Sequence, residues 1–131
     1  MINVSGAVIT YNGKYLITQR AKGKNEEFIW ELPGGKQEGD ETMEECTIRE
    51  IKEELGIDIT VDEFIMNVPV ENERGQYLLY AYMCSASSFD VKHNPNIHNQ
   101  YKWIDLSEFK NYEFLPGDKP VIAKLQKTKI A

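Results

Sequence analysis

The chain has 131 residues, 41% of them hydrophobic and 27% charged, enough for one real core and too little for two. Its formal charge of −6 argues against a surface that grips DNA or RNA polymers, since that grip is basic, but leaves open a small phosphorylated ligand neutralised by metal ions. No apolar run approaches the ~18 residues of a membrane span, and MINVSGAVIT lacks a basic start followed by an apolar stretch, so a cytoplasmic protein with no membrane partner is expected.

In chain order, INVSGAVITY, the pair Asn12-Gly13 and KYLITQR predict a β-hairpin, because Asn-Gly is the strongest two-residue hairpin signal. AKGKNEE (21–27) reads as a polar loop, and FIWEL (28–32) as a resumed strand with Phe28, Trp30 and Leu32 on one side. Pro33-Gly34-Gly35 breaks that strand. A helix is expected from about Thr42 to Leu55, stopped by Gly56 in the C-cap position. IDITVDEFIMNVPV (57–70) and QYLLYAYMC (76–84) are expected strands joined by ENERG. The stretch from Ser85 to Gln100, with Pro95 and several asparagines, reads as a loop. YKWIDL (101–106) is a short strand, and KPVIAKLQK (119–127) is a closing amphipathic helix after Pro116-Gly117. Without repeats or linkers, the pattern is one α/β domain over residues 1–131. Cys46 and Cys84 have no Cys or His partner at metal-ligand spacing and read as buried packing groups in a reducing compartment.

The stretch from Leu32 to Ile57 holds Glu38, Asp40, Glu41, Glu44, Glu45, Glu50, Glu53 and Glu54, out of 21 acidic residues in all. At about 100° per residue, Ile48, Ile51 and Leu55 share one stripe, the expected core face, while Glu50, Glu53 and Glu54 fall in a neighbouring arc. Like charges at these spacings oppose a helix by a few tenths of a kcal/mol each, about 0.2–0.5, unless a cation lies between them. A hard divalent ion such as Mg²⁺ suits carboxylate and carbonyl oxygens. An ordinary solvated acidic face, relieved by Arg49 and Lys52, is the competing reading.

Spacing over the whole stretch separates the two. Gly35, five residues, Glu41, seven residues, then Arg49-Glu50-Ile51-x-Glu53-Glu54-x-Gly56-Ile57 matches the Nudix box (35–57) at seven fixed identities and two apolar positions. At ordinary residue frequencies a chance match is below about one in a million. The chain therefore resembles the Nudix hydrolases, and LITQRA, WELPGGK and the terminal KPVIAKLQK resemble the MutT-type branch, the nucleoside triphosphate pyrophosphohydrolases.

That resemblance implies a Nudix α/β/α sandwich, a mixed sheet between helices. It implies Mg²⁺-dependent hydrolysis, with Mn²⁺ a possible substitute, of a (deoxy)nucleoside triphosphate, oxidised, modified or normal, to monophosphate and pyrophosphate. The Gly34 carbonyl, Glu50 and Glu54 are implied metal ligands, with Glu53 adjacent or on a second ion, and Arg49 pairs with Glu41 to hold the box loop to the helix. Arg20 and Lys36 are implied phosphate contacts, against the plainer reading of surface charges, and Glu31 and Leu32 are carried over as substrate-binding positions. Asp118 is either a helix N-cap or the base reader. The MutT pattern has asparagine there, and an ionised aspartate only accepts hydrogen bonds, which speaks against oxidised guanine and favours an exocyclic amine, as on cytosine or adenine.

A second departure lies before Trp103. Many relatives carry a glutamate there as an extra ligand or base, whereas NIHNQYKW offers no carboxylate, and His98 reads as a lone loop histidine. Tyr80 and Tyr82, alternating on one strand face, either line a base pocket or simply pack. The partner is a small nucleotide, the protein a monomer or homodimer. Alternatives are a hydrolase of another nucleoside diphosphate derivative, such as a nucleotide sugar, and a non-catalytic nucleotide sensor, which the intact Glu50, Glu53 and Glu54 disfavour.

Overall fold

Asn12 and Gly13, at φ 50° and 78°, turn β1 (Ile2–Tyr11) back into β2 (Lys14–Arg20), as a hairpin turn with two left-handed residues requires. The computed structural model describes residues 1–130. The strands stay paired only between Ile9–Leu16 and Tyr11–Lys14, then splay apart. A single run of chain enters the gap. β3 (Trp30–Glu31) pairs with Gln19 and Thr18 of β2. Residues 33–37 then run along β1, whose Ser5 and Ala7 N–H groups donate to the Gly35 and Pro33 carbonyls. This places the Gly-Gly pair within the sheet, along β1, rather than on a loose loop.

β1 pairs in parallel with β5 (Gly75–Ala86), β5 forms a long hairpin with β4 (Ile59–Asn72), and β6 (His98–Ile104) pairs antiparallel with β2. The order is β3-β2-β1-β5-β4, with β6 on β2. Helix α1 (Met43–Leu55) opens with a capping box, Glu45 N–H to Thr42 Oγ1 at 3.1 Å and Thr42 N–H to Glu45 Oε1 at 2.8 Å. Gly56, at φ 66°, ends it.

Period-2 alternation sends neighbouring strand residues to opposite faces. Ala7, Ile9 and Leu16 pack with Cys46, Ile51 and Leu55 of α1, while Val8, Ile17 and Leu79 pack with Val121 and Leu125 of α2 (Lys119–Ile130) and with Phe109 and Phe114. The result is the expected α/β/α sandwich, its second face completed by 3₁₀ turns at Leu106–Asn111 and Pro116–Asp118.

Three local expectations are corrected. The strand over 28–32 shrinks to two residues, because Phe28 adopts φ 68° and its N–H closes onto Arg20; Trp30 and Leu32 are buried but Phe28 is exposed. On α1 the buried stripe is rotated: Met43, Cys46, Thr47, Ile51, Glu54 and Leu55 face inward, whereas Ile48 is 41% exposed. The loop ends earlier than Gln100, since β6 already starts at His98.

Candidate active site

Glu54 lies on the inward face of α1 and is only 5% exposed. Burial pushes its carboxyl up to about 10; the hydrogen bond with Glu50 and the charges of Glu31 and Glu50 add to this, and the Gly34 backbone opposes it. Glu50 sits against the Gly-Gly segment so closely that a Cβ on Gly35 would collide with its carboxyl group, and one on Gly34 would collide with the Ser5 carbonyl oxygen. Glycine is required here for close approach.

Arg49 organises the rest. Nε and Nη2 donate to the two Glu41 oxygens at 2.9 and 2.7 Å, and Nη1 stands 3.1 Å from Glu50, 3.1 Å from Glu38 and 3.2 Å from Glu53. Nη2 also donates to the Lys36 carbonyl at 3.0 Å, so the loop is tied to the helix. The Arg49 hydrogen bonds hold the Glu41 carboxyl down at about 2. The glutamates are thus less exposed to mutual repulsion than spacing alone suggests: Arg49 already offsets part of it, while Lys52 turns away to Asp58 at 3.3 Å.

Among the described residues no three His, Cys, Asp or Glu side chains are grouped as a ready cation site. Arg49 Nη1 stands 3.1 Å from Glu50 and 3.2 Å from the 58%-exposed Glu53. The donors nonetheless fit a hard divalent ion. A buried Glu54 carboxyl crowded by Glu50 and Glu31 is disfavoured as an anion until a cation arrives, and the surrounding groups are oxygen donors.

A cleft of about 390 Å³ opens on the face opposite α1. Val4, Leu32, Val70, Tyr77, Leu79 and Leu115 give it apolar walls, and Arg20, Glu31, Lys36 and Asp118 give it polar groups. Gly34, Gly35 and Glu31 belong both to this cleft and to the surroundings of Glu50 and Glu54. A larger groove of about 540 Å³, between residues 109–114 and α2, contains none of these groups and is remote from the chemistry.

Asp118 is buried, and its Oδ2 accepts from the Leu32 N–H at 3.0 Å. The carboxylate therefore reaches across the fold to β3's end, which the plain N-cap reading does not provide. Burial pushes it up to about 7, the Leu32 N–H opposes, the Glu31 charge adds and Arg20 opposes. Arg20 is ion-paired to Glu31 at 3.0 Å and donates from Nε to the Asn25 carbonyl at 2.7 Å. Lys36 lies 5.9 Å from the centre of the Tyr77 ring.

Two features escaped sequence reasoning. His98 is no loop residue: it is fully buried at the start of β6, with Nε2 2.9 Å from Glu31 Oε2 and 3.7 Å from Glu54 Oε1. The aromatic of the cleft is Tyr77, not Tyr80 or Tyr82. Those two pack by Phe64 on the α1 side, at 6.3 and 5.5 Å between ring centres, and the Tyr82 hydroxyl donates to Glu44 at 3.3 Å.

A mixed sheet between helices, with a Gly-Gly segment pressed on a glutamate-rich helix, defines a phosphoanhydride hydrolase of the Nudix type. The NUDIX domain profile matches residues 1–125, and the chain belongs to that family of hydrolases. It is 30% identical to the CTP pyrophosphohydrolase of Escherichia coli over 122 residues, 93% of this chain and 89% of that one. It is 29% identical to the 8-oxo-dGTP diphosphatase of the same organism over 122 residues, 93% of each. The crystal structure of a MutT protein from Methanosarcina mazei superposes with a TM-score of 0.87 at 25% identity, covering 98% of this chain and 94% of that one. Nudix hydrolases generally use divalent metal ions. No described helix is long and apolar enough to cross a membrane.

Proposed function

We propose that the chain is a Mg²⁺-dependent pyrophosphohydrolase that cuts a (deoxy)nucleoside triphosphate to monophosphate and pyrophosphate, preferring cytosine or adenine, which carry an exocyclic amine where uracil and guanine carry a carbonyl. The observation that carries this reading is the position of Asp118. Its buried carboxylate lines the same cleft as Arg20 and Lys36, and the short segment from Glu31 to Lys36 joins that cleft to buried Glu54.

Glu50, Glu53, Glu54 and the Gly34 carbonyl would hold Mg²⁺, with Mn²⁺ a substitute. When bound, the ion supplies Lewis acidity toward phosphoryl oxygens and water. Arg49 and Glu41 brace the box segment against α1. Arg20 and Lys36 face the phosphate chain, and Tyr77 and Leu79 give the base an apolar wall. With Leu32 holding Oδ2, the ionised Asp118 can accept from an amine but cannot donate to a carbonyl. The likeness to a CTP pyrophosphohydrolase supports the same preference.

The test is a panel of normal and oxidised (d)NTPs, nucleotide sugars and dinucleotides with Mg²⁺, scoring pyrophosphate against phosphate release. Pyrophosphate from cytosine or adenine nucleotides at the highest kcat/KM is expected. A nucleotide sugar or dinucleotide as best substrate would overturn the reading.

A further inference from the structure

Glu31 has both carboxylate oxygens engaged. Oε1 accepts from Arg20 Nη1 at 3.0 Å, and Oε2 lies 2.9 Å from His98 Nε2. The three residues come from three neighbouring strands: Arg20 ends β2, His98 starts β6 directly opposite it, and Glu31 lies in β3. The register of β2 on β6 shifts between Gln19 and Arg20, an irregularity of the kind that re-aims a side chain next to a functional site.

His98 is fully buried, and its Nδ1 has no hydrogen-bond partner among the described residues. A proton on Nδ1 would bury an unsatisfied N–H, so a ring with one proton carries it on Nε2 and donates it to Glu31. An orphaned ring nitrogen is a poor way to fill a core. It is tolerated here because the other nitrogen fixes a carboxylate.

We propose that His98 and Glu31 are positioning residues for Arg20, holding its guanidinium on the cleft wall where it meets the substrate's phosphate chain. This rests on reading the cleft as a triphosphate site. It also changes what Glu31 does: with both oxygens occupied, it acts on the substrate through Arg20 rather than by direct contact. Arg20 is held on its other side by the Asn25 carbonyl, so its position is set from two directions, and losing the Glu31 contact leaves it swinging on one. The same ring nitrogen also stands 3.7 Å from Glu54 Oε1, between the two carboxylates.

The relay predicts a binding effect rather than a rate effect. On the triphosphate that the wild type turns over best, with saturating Mg²⁺, His98→Leu raises KM about tenfold, the worth of a lost hydrogen bond to a charged group, while kcat changes less than about threefold. His98→Gln places an amide N–H near the former Nε2 and recovers most of the KM. Because the effect passes through Arg20, the His98→Leu, Arg20→Ala double variant has the KM of Arg20→Ala alone. If His98→Leu does not fold, Glu31→Gln replaces it in the same cycle. A kcat loss at unchanged KM, failure of Gln to recover, or KM effects that multiply in the double variant would each overturn the relay.

A substrate-free measurement separates this from the functional reading. The chain has two histidines, so His98→Gln assigns the ring in a long-range ¹H–¹⁵N spectrum. A protonated Nε2 and a bare Nδ1, both moved by Glu31→Gln, are expected; a bare Nε2, or a ring indifferent to Glu31→Gln, sinks the contact and the relay with it. Absence of wild-type turnover on every triphosphate sinks the functional reading instead, and the spectrum still decides whether His98 holds Glu31.

Discussion

Along α1, Arg49 gathers Glu38, Glu41, Glu50 and Glu53 at 2.7–3.2 Å, whereas the Asp118 carboxylate in the cleft is held, among the described residues, by the Leu32 backbone N–H at 3.0 Å. The first region is dense in charge, and its carboxylates are arranged around the Arg49 guanidinium, beside the proposed metal site. The second is a cleft with apolar walls in which a buried polar group such as Asp118 has a large effect on orientation, because an unmatched partner there loses its water without replacement. Damage to the first region should therefore appear in the rate of the chemical step for all substrates. Damage to the second should appear in which substrate is chosen.

The largest expected effect breaks the comparison at its charged end. Exhaustive chelation should abolish turnover, and Mg²⁺ or Mn²⁺ should restore it. Glu54→Gln should lower kcat by about 100-fold or more for every substrate alike, since metal-assisted charge stabilisation supplies several kcal/mol. Steady-state kinetics on the best and second-best nucleotides checks this; a loss confined to one base would place Glu54 with the cleft instead.

The same substitution should have the opposite effect on metal-free stability. The Glu54 carboxyl is raised from its ordinary 4.5 to about 10, so the folded state holds a proton that the unfolded state releases. That contribution is complete below pH 4.5 and is lost as pH rises toward 10. In chelator, wild-type Tm should fall across this window, and Glu54→Gln should fall less and be the more stable protein at neutral pH. Equal Tm profiles for the two proteins would show that the carboxyl ionises without penalty. Adding Mg²⁺ should raise the wild-type Tm more than that of Glu54→Gln.

The two regions also differ in how far they could be read in advance. The acidic end is encoded locally: Gly34 to Glu54 are close in sequence, and helical spacing plus a glycine break is enough to bring them together. Even there, Ile48 was misplaced on the core face, because apolar identity could not reveal that the sheet prefers the side bearing Cys46, Thr47 and Glu54. The cleft depends on strand register. Tyr77 and Leu79 are one residue out of phase with Tyr80 and Tyr82, and only the pairing of β5 with β1 and β4 decides which pair faces which helix. His98 was hidden for the same reason: the asparagines around it suggest a loop, and its meeting with Arg20 and Glu31 depends on a bulge between distant strands.

A smaller effect is expected from Asp118→Asn. The amide adds a donor where the ionised carboxylate has none, so preference for an exocyclic amine over a carbonyl should drop by roughly tenfold, the worth of one buried hydrogen bond. The kcat on the best substrate should fall far less than for Glu54→Gln. An unchanged ranking of kcat/KM across the panel would remove Asp118 from base reading.

The smallest effect is a pH dependence of that choice. Asp118 is pushed from its ordinary 3.8 to about 7, chiefly by burial. Above pH 7 it is an acceptor suited to an amine; below, it carries a proton and can donate to a carbonyl. The kcat/KM ratio of a cytosine to a uracil nucleotide should therefore rise severalfold between about pH 6 and 8, less than the full tenfold of the substitution because both forms of Asp118 are present near its midpoint. Taking the ratio matters, since titration of Glu54 and of the substrate phosphates acts on both nucleotides and cancels. Asp118→Asn has no proton to lose, so its ratio should be flat over the same range. A wild-type ratio that is also flat, with Asp118→Asn still altering the ranking, would mean that nucleotide binding fixes one protonation state of Asp118 throughout; a ratio that falls with pH would reverse the assignment of donor and acceptor.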